Sequence, residues 1–72
     1  MTQTIRMTLE AARVNAGFTQ KQVSQAIGVS VATIVLWEKG ERMPSVEKAL
    51  NLAGLYKVPL ECINITKKVE SN

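Results

Sequence analysis

Four capping hydroxyls, three of them answered by a glycine, cut this chain into segments too short for anything larger than small helices. Thr8 stands before Leu9 in a run that closes at Gly17, Thr19 before Gln20 in a run that closes at Gly28, and Ser30 before Val31 in a run that closes at Gly40. Ser45 follows Pro44 and opens a fourth run. A side-chain oxygen at the start of a helix satisfies N–H groups that have no partner in the first turn, and a glycine past the end takes the reversed backbone there. The punctuation therefore predicts a first helix over 9–16 with Leu9, Ala12 and Ala16 inward and Phe18 folding back after the cap. A second runs from Thr19 to Gly28, where Thr19-Gln20-Lys21-Gln22 has the capping-box form and Val23 pairs with Ile27. A third covers 31–39, only three residues beyond the second, so the two must cross steeply. The fourth places Val46, Ala49, Leu50 and Ala53 at helical spacing and reaches Tyr56 despite Gly54.

Beyond it, Pro59 suits the first turn of a last short helix with Glu61 near its positive end and Leu60 and Ile63 inward. Thr4-Ile5-Arg6-Met7 and Ile63-Asn64-Ile65-Thr66 each alternate apolar with polar, which allows a two-stranded pairing of the termini. The four residues Tyr56-Lys57-Val58-Pro59 leave room only for a sharp reversal, so positive φ is expected at Lys57.

Composition narrows the function. Apolar residues make up 46% of the 72 and charged ones 21%, a balance that folds rather than stays disordered. There is no His, every acid is Glu, and the single Cys, Cys62, excludes an internal disulfide and reads as a core or edge residue. His-based triads and His/Cys zinc clusters cannot be assembled, so the expectation is a binding protein, not an enzyme, with no cofactor and no metal. The net charge of +3 invites an anionic partner, but Lys67 and Lys68 lie near the end of the chain. Between Thr8 and Cys62 the bases Arg13, Lys21, Lys39, Arg42, Lys48 and Lys57 are nearly matched by Glu10, Glu38, Glu41, Glu47 and Glu61. Charge alone decides nothing. No apolar stretch is long enough to span a membrane and the opening MTQTIRMTLE lacks a signal-peptide block, so a cytoplasmic location is expected and Asn64-Ile65-Thr66 is a chance glycosylation sequon.

Residues 11–20 (AARVNAGFTQ), Ile27-Gly28-Val29-Ser30, Thr33-Ile34, Trp37-Glu38-Lys39-Gly40 and Pro44-Ser45 together resemble the Cro/cI-type (Xre) repressors of phage and bacteria. The resemblance implies an all-α, compact five-helix domain over 8–63 whose second and third helices form a helix-turn-helix, with 1–7 as an N-terminal arm and 64–72 as a tail. It also implies a sequence-specific transcriptional regulator that binds a double-stranded DNA operator as a homodimer and reads the major groove with the third helix. The physics of such a motif asks for a tight turn and an apolar patch fixing one helix behind the other. Val23, Ile27, Val29, Ile34 and Trp37 supply the patch, and Gly28 is where positive φ costs least.

By the same resemblance, Thr19 and Gln20 at the start of the second helix face a DNA phosphate, with simple capping as the alternative for Thr19. Lys39 and Arg42, flanking Gly40, can reach phosphates across the groove, with solvated surface charge as the alternative. Base reading falls to Ser30, Val31, Ala32, Thr33, Val35 and Leu36. Here the chain departs from its relatives, which commonly carry Gln, Arg, Ser or Lys at several of these positions. Val31, Ala32, Val35 and Leu36 cannot form bidentate bonds to purine edges, but they can touch thymine methyl groups. The alternative is that so apolar a helix faces a protein, either a second copy or, for an antitoxin, its toxin. Arg13 and Glu38 are expected to form a partly buried structural ion pair between the first and third helices.

Overall fold

In the computed structural model, which describes residues 6–64, the first element among these residues is a two-residue strand, β1 (Met7–Thr8). It then enters helices α1 (Leu9–Ala16), α2 (Gln20–Ile27), α3 (Val31–Lys39) and α4 (Val46–Tyr56). Each helix begins where a hydroxyl predicts it. Thr8 Oγ1 accepts from Ala11 N at 3.0 Å, Thr19 Oγ1 from Gln22 N at 3.1 Å, Ser30 Oγ from Thr33 N at 3.1 Å and Ser45 Oγ from Lys48 N at 3.1 Å. The capping box at α2 is complete, since Gln22 Oε1 accepts in return from Thr19 N at 2.9 Å. Helices α1, α2 and α3 end on left-handed glycines, and α4 ends on Lys57 at φ 60° and ψ 42°.

The fifth helix expected after Pro59 is instead a single 3-10 turn, Leu60–Cys62, closed by Cys62 N donating to the Pro59 carbonyl at 2.9 Å. The reason is the next residue. Ile63 is extended, at φ −110° and ψ 128°, because it opens β2 (Ile63–Asn64), which pairs in parallel with β1 in the register Met7 with Ile63 and Thr8 with Asn64. Three residues between a proline and a strand leave no length for an α-helix. The pairing of the two ends is thus present, while Thr4, Ile5, Ile65 and Thr66 lie outside the described residues.

The core forms where the four helices and the paired ends meet: Leu9, Ala12, Val23, Ile34, Trp37, Leu52, Ala53, Tyr56 and Ile63 are buried together. Ala16, Phe18, Ile27, Val29 and Leu60 pack against them partly buried. In α4 the inward stripe differs from the one expected. Ala49 and Ala53 are buried as predicted, but they are joined by Leu52 and Tyr56, whereas Val46 and Leu50 are 75% and 54% exposed. Two apolar stripes share the alanines, and a small rotation of the helix decides between them. The larger payload lies with Leu52 and Tyr56, whose ring meets Phe18 with centroids 6.2 Å apart.

Candidate nucleic-acid interface

The turn between α2 and α3 is held by backbone and side chain together. The Ser24 carbonyl accepts from both Gly28 N at 2.9 Å and Val29 N at 3.1 Å, and Gly28 has φ 85°. A Cβ at Gly28 would meet nothing within 4 Å, so glycine is needed there for its backbone alone. The apolar patch expected behind α3 is in place, with Val23, Ile34 and Trp37 buried and Ile27 and Val29 half-buried against them. Sequence reasoning missed one brace. Lys48 Nζ, from α4, donates to the Ile27 carbonyl at 3.3 Å, supplying a cation to the C-terminal end of α2. In the sequence Lys48 reads only as one surface base among several.

A second brace joins α1, α2 and α3. Arg13 Nε donates to Glu38 Oε2 at 2.7 Å and Arg13 Nη2 to Oε1 at 3.4 Å, while Arg13 Nη1 donates to the Phe18 carbonyl at 2.9 Å. The Arg13 and Glu38 side chains are 12% and 7% exposed. The hydrogen bond that Arg13 donates to Glu38, and then the Glu38 charge, hold the guanidinium above its ordinary pKa against the opposing effect of burial. The ion pair expected from the resemblance is present in the structure. What the sequence did not show is the third member: Gln20, the first residue of α2, donates through Nε2 to Glu38 Oε1 at 3.0 Å.

Around this frame the other singled-out residues lie on α2 and α3 and just beyond them. Thr19 is exposed, and its hydroxyl is engaged in the capping box. Ser30, Val31 and Ala32 are exposed at the start of α3, with Val31 39% accessible. Thr33, Val35 and Leu36 are half-buried, so of the six positions expected to read bases the exposed ones lie at the start of α3. Ser30 Oγ and Thr33 Oγ1 lie 3.0 Å apart and hydrogen-bond to each other, which leaves at most one of the two hydroxyl protons for a ligand. Lys39 and Arg42 are exposed, and neither takes part in an ion pair among the described residues. The surface they border therefore combines free cations with an apolar helix face. Among the described residues no cluster of acidic or thiol side chains suits a metal ion.

The family model for Helix-turn-helix (HTH_3) matches residues 9–61 of the chain. The protein belongs to this family, the helix-turn-helix DNA-binding regulators of Xre, Cro and cI type. None of the curated proteins and none of the solved structures gave a match. The match spans all four helices and reaches into the turn after them, so the family assignment covers more than the two-helix motif alone. Among the described residues no helix is long and apolar enough to cross a membrane.

Proposed function

We propose that this protein is a cytoplasmic, sequence-specific transcriptional regulator of Cro/repressor character, which binds a two-fold symmetric operator as a homodimer with the first turn of α3 in the major groove. The observation that carries the reading is the exposed start of α3, held against α2 by Gly28 and the buried Val23, Ile34 and Trp37, with the end of α2 tied to α4 by Lys48. In this docking the N-terminus of α2, with Thr19 and Gln20, faces one phosphate strand, and Lys39 and Arg42 face the other. Ser30, Val31, Ala32 and Thr33 reach base edges, and Val35 and Leu36 line the groove-facing side with what their half-burial leaves accessible. Because the face is apolar, it suits thymine methyl groups and groove shape better than purine edges. One recognition helix covers a short half-site, so a second copy on the next turn of the duplex supplies the length a specific site requires. Residues 1–7 and 64–72 are read as an arm and a tail flanking the domain.

A second reading is favoured by one feature. Met43, Val46 and Leu50 are 53%, 75% and 54% exposed, an amount of bare apolar surface that also suits a protein partner such as a toxin bound by its antitoxin. Selection of bound sequences from a random pool of duplex DNA separates the two. Enrichment of one palindromic site is the expected result, and recovery of nothing above the starting pool overturns the regulator reading in favour of the protein partner.

A further inference from the structure

Gln20 sits at the first position of α2, where a side chain is normally free to turn in solvent, yet it is half-buried and tied to a residue eighteen positions away. The tie has a polarity. Both Glu38 carboxylate oxygens already accept from Arg13, so Glu38 faces Gln20 as an acceptor. The amide of Gln20 must turn Nε2 toward it, at 3.0 Å from Oε1, and the reversed orientation sets Oε1 of Gln20 against a carboxylate oxygen. One N–H of Nε2 is consumed in this way. The other N–H and the carbonyl oxygen remain, and a phosphate oxygen, which has no proton, can use only the N–H.

We infer that Glu38 is a positioning residue for DNA binding: through Nε2 it locks the Gln20 amide in the orientation that leaves one N–H directed to a backbone phosphate, with Arg13 holding the carboxylate in place. This rests on the DNA-contact reading of Gln20. The Arg13 side chain is anchored twice over, to Glu38 and to the carbonyl of Phe18, the residue before the Thr19 cap of α2, so the carboxylate and the approach to α2 are held to the same guanidinium. The rotamer freedom of Gln20 is consequently lost when the domain folds rather than when it meets DNA, and a contact made by a pre-set group binds more tightly than the same contact made by a mobile one. The ion pair thus has a role that stability alone does not require, since a pair of apolar residues would join α1 to α3 equally well but would leave the Gln20 amide unset.

The test is a double-mutant cycle in DNA affinity, with Glu38→Gln and Gln20→Ala made singly and together and titrated against the duplex recovered by selection, below the melting temperature of every variant. Gln at position 38 keeps the shape but can face Gln20 with either end of its amide. The expected result is that Gln20→Ala weakens binding, that Glu38→Gln weakens it about fivefold, the worth of one ordinary hydrogen bond, and that Glu38→Gln has no further effect once Gln20 is Ala. An equal loss from Glu38→Gln in both backgrounds overturns the positioning role while leaving the Gln20 contact intact. No loss from Gln20→Ala overturns the contact itself and the inference with it. Should Glu38→Gln fail to fold, side-chain amide exchange in the native protein decides instead. Slower exchange at Gln20 than at the exposed Gln25 supports the lock, and equal exchange overturns it.

Discussion

The Arg13 guanidinium and the Glu38 carboxylate, twenty-five positions apart in the chain, meet at 2.7 Å with little of either side chain exposed. Removing one partner leaves the other charged and largely out of water, which is the costly case, whereas removing both to apolar residues of similar volume is often neutral. Arg13→Met is expected to destabilise the domain by about 3 kcal/mol, and adding Glu38→Leu to recover much of it. Recovery should be incomplete, because Gln20 Nε2 also loses its acceptor. Thermal melts of the four proteins measure this, and strictly additive losses would show that the two residues do not interact.

Lys57 is the one non-glycine residue with positive φ among the described residues, as the short reversal after Tyr56 predicts. Cβ in that region costs roughly 1 kcal/mol or somewhat more, which slightly exceeds the unfolded-state entropy that glycine adds. Lys57→Gly should raise the melting temperature by about 4 °C or more per kcal/mol gained. Lys48→Gly should do the opposite, losing about 1 kcal/mol of helix propensity and, in addition, the bond to the Ile27 carbonyl. Equal destabilisation by the two substitutions would contradict the strain at Lys57.

Tyr56 is the only tyrosine, so its ionisation can be followed directly by phenolate absorbance. Burial, reinforced by the Glu38 carboxylate and opposed by Arg13, pushes the phenol up to about 12. An unfolded tyrosine ionises near about 10. Between those values the folded state keeps a proton that the unfolded state has released, so this contribution to stability is complete below about pH 10 and falls as pH rises toward 12. Urea melts across that window should show the fall in the native protein, with a shallower one in Tyr56→Phe. An absorbance midpoint near that of free tyrosine would contradict it.

Val31 and Ala32 are the apolar residues most accessible on α3, and they can offer DNA only contact surface. Replacing thymine by uracil in the selected site removes the methyl group alone, and a loss on the order of 1 kcal/mol is expected at one or more positions. Equal affinity for both duplexes would rule out direct apolar readout and leave groove shape as the source of specificity.

Much of this structure is legible in the sequence because caps are local. Thr8, Thr19, Ser30 and Ser45 act on backbone a few residues away, and all four helix starts follow from them. The errors concern choices made at a distance. Whether Leu50 or Leu52 faces the core depends on where Phe18 and the rest of the core lie, and the helical spacing of α4 admits both. The 3-10 turn at Leu60–Cys62 depends on Ile63 finding Met7 across the fold. In the candidate site, the Arg13–Glu38 pair was legible through family resemblance. The Gln20 bond to Glu38 and the Lys48 bond to Ile27 were not, because neither leaves a spacing or a composition that a reader of the chain could single out.

If α2 and α3 dock this domain on DNA with Gln20 and Lys39 against the backbone, affinity must depend on salt and on those two side chains. Fluorescence anisotropy with the selected duplex and with a scrambled one of equal length should show tighter binding to the first. Log K should fall by about 0.9 per phosphate contact for each log unit of salt. Gln20→Ala should weaken binding, and Lys39→Ala should both weaken it and reduce the slope by about one contact. Equal affinity for the two duplexes, with neither substitution changing it while the fold persists, would show that α2 and α3 do not dock on DNA in this way.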